Sequence, residues 1–169
     1  VIAGPNRAMF MNCDPTGPGC LAQTVTTFGR KAFRRPLTDA EVARFQKLAQ
    51  TMPAGSPAAV AETTLNAFLV SPSFLMVPEL TTTPDPMGQG IQLSGHEVAT
   101  RLSFLLWGSV PDDALNAAAD ANQLQTKAQI LAQAQRMIAV RAKTGSLVSA
   151  FHRDWIQMNN GNGHWWKLD

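Results

Sequence analysis

Thr38-Asp39-Ala40-Glu41-Val42-Ala43-Arg44-Phe45-Gln46-Lys47-Leu48 decides how this chain is read. Its opening is a capping box, with Thr38 as N-cap and Glu41 three residues on at N3. Val42, Phe45 and Leu48 then return at helical spacing, so the stretch predicts an amphipathic helix. The same grammar recurs further along. Ser94-Gly95-His96-Glu97 precedes Val98, Leu102, Leu105 and Leu106, and Thr126-Lys127-Ala128-Gln129 precedes Ile130, Leu131, Ala134, Met137 and Ile138. Ser56 with Pro57 at N1 starts a helix bearing Val60, Thr64, Leu65, Phe68 and Leu69.

Between these anchors the apolar period fills in the rest. Leu21, Val25, Phe28 and Ala32 form one stripe, and Pro36 is expected to stop it. Met52-Pro53-Ala54-Gly55 ends the helix begun at Thr38, and Ser71 to Leu75 reads as a short helical turn. Leu115 and Ala118 mark a short helix beyond Gly108 and Pro111. A last one runs through Leu147, Phe151, Trp155 and Met158 to a stop at Asn159–Gly163. No alternating strand pattern competes. The chain is therefore expected to be all-α, with six to seven helices in two packed subdomains and little or no β structure.

Punctuation supplies the expected boundaries. Residues 1–20 read as an extended lead-in with a cysteine loop, and 21–80 as an N-terminal helical unit. Residues 81–92, with Pro84, Pro86, Gly88 and Gly90, read as a linker, and 93–169 as a C-terminal helical unit. Neither the opening at Val1 nor the close at Trp165-Trp166-Lys167-Leu168-Asp169 resembles a domain cap, which predicts a piece of a longer protein.

Composition narrows the function classes. The 169 residues are 45% hydrophobic, enough to bury a core. Charged residues are 15%, against about 25% in an ordinary soluble domain, so part of the surface is expected to be covered. A net charge of +2 is too mild to imply nucleic acid. No apolar run is long enough to span a bilayer. Cys13 and Cys20 bracket Asp-Pro-Thr-Gly-Pro-Gly, a tight reversal suited to bringing two thiols within bridging distance. Redox C-x-x-C spacing is absent and two cysteines alone complete no zinc site, so a disulfide is expected, and with it an oxidising compartment.

Two phrases go further. Phe28-Gly29-Arg30-Lys31-Ala32-Phe33-Arg34-Arg35-Pro36-Leu37-Thr38-Asp39 resembles the signature of the bacterial domain-of-unknown-function family numbered 1595. The stretch from Leu93 through Trp155, with Trp107-Gly108-Ser109-Val110-Pro111-Asp112-Asp113 at its centre, resembles the companion family numbered 1592. Modules of these two families occur together in large exported proteins of planctomycetes and myxobacteria, often beside a cytochrome c domain. Gly4-Pro5-Asn6 and the cysteine loop sit where such proteins place a short linker and cysteines. The resemblance implies export, periplasmic or extracellular, and a helical fold. It brings no established catalytic residue.

The candidate chemistry is sparse. His96-Glu97-Val98-Ala99-Thr100 approaches the H-E-x-x-H zinc helix, but Thr100 stands at the second ligand position and Glu97 already serves the capping box. His152, Asp154 and His164 are the densest group of potential ligands or acid–base residues, with His164 beyond the Asn159–Gly163 loop. Against that stands a polar helix end facing solvent or a neighbouring segment. Arg30, Lys31, Arg34 and Arg35 form a basic cluster near a helix C-terminus, read as complementing the helix dipole and pairing with Asp39 and Glu41, with an anion site as the lesser alternative. Arg34-Arg35-Pro36 is also placed to fix the interhelix corner through carbonyl contacts. Met52, Met137 and Met158 lie on apolar stripes as core filler. Trp165-Trp166 offers an aromatic face to a sugar or, more simply, to following polypeptide. C-x-x-C-H is missing, so no covalently attached haem is expected within the chain, although an associated domain is free to carry one. Nucleophile-elbow, P-loop and dinucleotide signatures are missing too, and there is no tyrosine.

These readings favour a non-catalytic scaffold or interaction module of a larger exported, redox-associated protein. Its expected partners are other segments of the same precursor or a second chain, with no metal or cofactor of its own. The alternative is part of an enzyme site acting on an extracellular polymer, to which His152, Asp154 or His164 would contribute.

Overall fold

The computed structural model describes residues 7–14, 16–51, 56–85, 88 and 90–156. They form α1 (Arg7–Phe10), α2 (Cys20–Phe33), α3 (Asp39–Thr51), α4 (Pro57–Leu69), α5 (Pro72–Leu75), α6 (Gly95–Trp107), α7 (Asp113–Asp120), α8 (Lys127–Ala139) and α9 (Arg141–Trp155). The fold is all-α. Two of the nine, α1 and α5, are single turns, which is why the count slightly exceeds six to seven. No strand occurs among the described residues, only an isolated antiparallel bridge between Pro84 and Ile91. The chain divides into two compact units, Val1–Leu80 and Thr81–Asp169. The N-terminal Gly4-Pro5-Asn6, the Met52–Gly55 stop, Met158, the Asn159–Gly163 loop, His164 and the tryptophan pair at 165–166 lie outside the described residues.

In the first unit α2, α3, α4 and the α5 turn pack around phenylalanines. Phe68 is fully buried, stacked on Phe45 with ring centroids 3.7 Å apart, and met edge-on by Phe33 and Phe28 at 5.4 and 5.8 Å. The stack needs a gap in the facing helix, and Gly29 supplies it. A Cβ there would stand 2.8 Å from Phe68 Cε1 and from both Leu37 methyl carbons. Phe10 and the buried Met11 close the other side, Phe10 lying 6.0 Å from Phe28. The α3 stripe is rotated slightly from its expected line: Phe45 and Ala49 are buried, whereas Leu48 stays exposed.

Proline was expected to end α2, but the helix stops three residues earlier, at Phe33. Arg34 adopts the left-handed conformation with φ 59°, a turn ordinarily left to glycine or asparagine. Its side chain supplies the reason, as described below.

The second unit packs α6, α7, α8 and α9 around Ala99, Leu102, Trp107, Leu115, Ala118, Ala119, Leu124 and Met137. Gly95 allows the start of α6 to approach α7, since a Cβ there would lie 3.2 Å from the Ala119 carbonyl oxygen. Leu105, placed by periodicity on the α6 core stripe, is instead 71% exposed, because the buried line runs through Ala99, Leu102, Ser103 and Trp107. The stretch read as a linker is locally paired. Asp85 N–H donates to Gly90 O and Gln92 N–H to Thr83 O, both at 2.9 Å.

Candidate functional site

Both recognisable phrases converge on the same kind of object, a helix corner held by charged side chains. In the first, Arg34 is 7% exposed and its guanidinium donates to the carbonyls of Ser73, Phe74 and Met76. Those oxygens end the α5 turn, where carbonyls lack intrahelical partners. One planar fork reaches all three at once from two separate nitrogens, where a lysine would offer a single nitrogen. Burial lowers the pKa of the group from its ordinary value, and the carbonyl cage compensates the lost hydration.

Arg35 turns the other way. It forms a two-pronged bond with Glu41, at 2.9 and 2.8 Å, and donates to Pro36 O. Glu41 also receives the Thr38 backbone N–H at 2.8 Å, and Thr38 Oγ accepts from Glu41 N–H, completing the capping box. The Arg35 hydrogen bond, with further help from Thr38, holds the Glu41 carboxyl down to about 2. Arg30 is half-buried in the last turn of α2. Lys31 is exposed beside a shallow depression shared with Phe10, Asn12, Thr27 and Phe28. The four basic residues therefore do not converge as one anion cradle: Arg34 and Arg35 point into two different corners.

The second phrase is built alike. Gly108, at φ 63°, turns the chain out of α6. Asp112 caps α7 by accepting Leu115 N–H at 2.9 Å and also takes both guanidinium prongs of Arg136 from α8, at 2.8 and 3.0 Å. The Arg136 bond is the main cause of a lowered Asp112 pKa. Trp107, buried between them, donates its indole N–H to Met137 O at 3.0 Å, with Lys143 Nζ 4.0 Å above its ring. Helices α6, α7, α8 and α9 thus meet at seven consecutive residues.

The zinc-like His96-Glu97 pair is also structural. Burial pushes the Glu97 carboxyl upward, but hydrogen bonds from Thr81 and Ser94 outweigh it and bring it to about 2. His96 Nε2 lies 3.0 Å from Asp120 Oδ1 at the end of α7. Cys13 and Cys20 are joined in a disulfide with Cα atoms 5.6 Å apart.

His152 and Asp154 lie on the exposed last turns of α9. The His152 ring nitrogen Nδ1 bonds Val148 O at 2.7 Å, and its ring sits edge-on to Phe151 and Trp155. His164 is outside the described residues, so its expected approach to them is not part of this geometry. No cluster of three or more His, Cys, Asp or Glu able to hold a metal occurs among the described residues. None of their helices is long and apolar enough to cross a membrane.

Sequence reading anticipated carbonyl contacts at the Arg34-Arg35-Pro36 corner but not that Arg34 reaches Ser73, Phe74 and Met76. It missed the Asp112–Arg136 pair and the Trp107–Met137 bond; all join residues far apart in the chain. The available signal was that arginine, tryptophan and aspartate crowd beside helix ends in both phrases.

Fold and site together define a pair of helical modules whose distinctive residues are corner clamps. Residues 20–79 match the family described as PSD5, protein of unknown function (DUF1595), and residues 93–165 match PSD4, protein of unknown function (DUF1592). The resemblance carried by the two phrases is borne out, half by half. No curated protein and no solved structure matches the chain significantly.

Proposed function

We propose that this chain is a non-catalytic helical scaffold and interaction module of a larger exported, redox-associated protein, with α9 as its docking element. One observation carries the reading. α9 buries no residue, yet exposes Val148, Phe151 and Trp155, with Phe151 and Trp155 at 60% and 70% and Ile156 exposed just past its end. Contiguous exposed aromatics of this kind mark interaction surfaces. The corner clamps support it from the other side, because the phrases that distinguish these modules engage their charged groups within the fold. The disulfide suits an oxidising compartment.

The test compares backbone hydrogen exchange of the isolated chain with that of the native particle purified from its source. Protection gained over residues 148–156 in the particle supports docking through α9. Unchanged exchange there, in a monodisperse monomer that retains activity of its own, overturns the reading.

A further inference from the structure

Cys13 and Cys20 differ in their surroundings. Cys13 is half-buried, whereas Cys20 is 3% exposed and is the first residue of the fourteen-residue α2. No side chain caps that helix start: its N-cap is Gly19, and its first turn holds no acidic residue. The Cys20 side chain thus springs from the uncapped, positive end of the α2 dipole. Thr24 Oγ lies 3.7 Å from Cys13 Sγ, a hydroxyl donor beside the other sulfur. The bridge ties the Phe10–Met11 flap, which covers Phe28, to the start of α2.

We propose that this bridge is a polarised, exchangeable clasp, opened by dithiols attacking Cys13 with Cys20 as the leaving group. A dithiol thiolate attacks Cys13 Sγ, the Sγ–Sγ bond breaks, and its electron pair departs on Cys20. Attack falls on Cys13 because it is the more exposed of the two sulfurs, and the departing thiolate forms at the uncapped start of α2, which offsets part of its burial. The second thiolate of the dithiol then attacks its own sulfur in the mixed disulfide and releases Cys13. Two electrons and two protons pass from the dithiol to the two cysteines, leaving the dithiol as a cyclic disulfide. The flap then rests on the packing of Phe10 and Met11, while the Phe28–Phe33–Phe45–Phe68 core beneath is untouched.

The clasp is tested on the full chain with monothiols, which stop at the mixed disulfide. After brief exposure to glutathione and acid quench, peptide mapping is expected to place the adduct on Cys13. An adduct mainly on Cys20 overturns the proposal. A second arm uses Ala22→Glu against Ala22→Gln at the exposed third position of α2. The acidic variant should open about two- to five-fold more slowly. This slowing should be alike for cationic cysteamine and for an anionic thiol, because it acts on the leaving group. Slowing confined to the anionic thiol, or none, overturns it. Hydrogen exchange after dithiothreitol should show protection lost at residues 10–13 and kept within 24–33; loss across both overturns the clasp.

Discussion

The Trp107 indole N–H donates to the Met137 carbonyl oxygen, so the last residue of α6 closes the end of α8. The same oxygen accepts Val140 N–H at 3.1 Å and Thr144 Oγ–H at 3.3 Å. Trp107→Phe keeps most of the buried ring and removes one donor, an expected loss of about 1 kcal/mol. Trp107→Ala also opens a cavity and removes the platform under Lys143, for about 3–5 kcal/mol. Urea unfolding followed by circular dichroism separates the two.

Arg34 sits in a left-handed turn and yet is not replaceable by the residue that suits such turns. Arg34→Gly relieves the backbone but leaves the carbonyls of Ser73, Phe74 and Met76 without their donor. A net loss of about 2 kcal/mol or more is expected, since each hydrogen bond to a charged group contributes about 1.5–3 kcal/mol while glycine returns only about 1–2 kcal/mol of backbone strain. Arg34→Lys should recover only part of it. A glycine variant as stable as the parent would show that the clamp contributes nothing to stability.

Acid should loosen both units. Glu41 and Glu97 each titrate near 2 in the folded chain, below the ordinary glutamate value. Their contribution is therefore present above the unfolded pKa of about 4.3 and is lost as pH falls from there through about 2. Glu97→Gln should lower stability at pH 7 and flatten the acid limb of the stability profile for the second unit. A profile between pH 5 and 2 as steep in the variant as in the parent would contradict this.

Two glycines inside helices should respond in opposite directions to alanine. At Gly145 in α9 a Cβ meets nothing within 4 Å, so Gly145→Ala should stabilise by up to about 1 kcal/mol through helix propensity. At Gly29 the same methyl meets the Phe68 ring, itself pinned against Phe45, and overpacking by about 1–3 kcal/mol outweighs that gain. Thermal midpoints of the two variants on either side of the parent's are expected.

The helices were legible because their signals are local. Thr38 with Glu41, Ser94 with Glu97 and Thr126 with Gln129 each cap a helix as read, within a span of four residues. Ser56 and Pro57 likewise start α4. Errors arose where a neighbour chose the face. Leu48 and Leu105 fit the 3.6-residue period but lost the core to Ala49, and to Ser103 and Trp107, because the neighbouring helices meet those faces instead. The stop of α2 at Arg34 was unreadable for a related reason: the carbonyls that reward it lie about forty residues later.

Chain order alone determined that this protein is helical, where most of its helices begin, which residues are able to cap them, and that two cysteines lie close enough to join. Those properties follow from interactions spanning a single turn or loop. Tertiary structure decided what the charged phrases do, putting Arg34 under α5, Arg136 on Asp112 and the indole of Trp107 on α8. It also left Phe151 and Trp155 facing outward. Such pairings depend on which helix ends meet in space, and no periodicity within one helix specifies its neighbour.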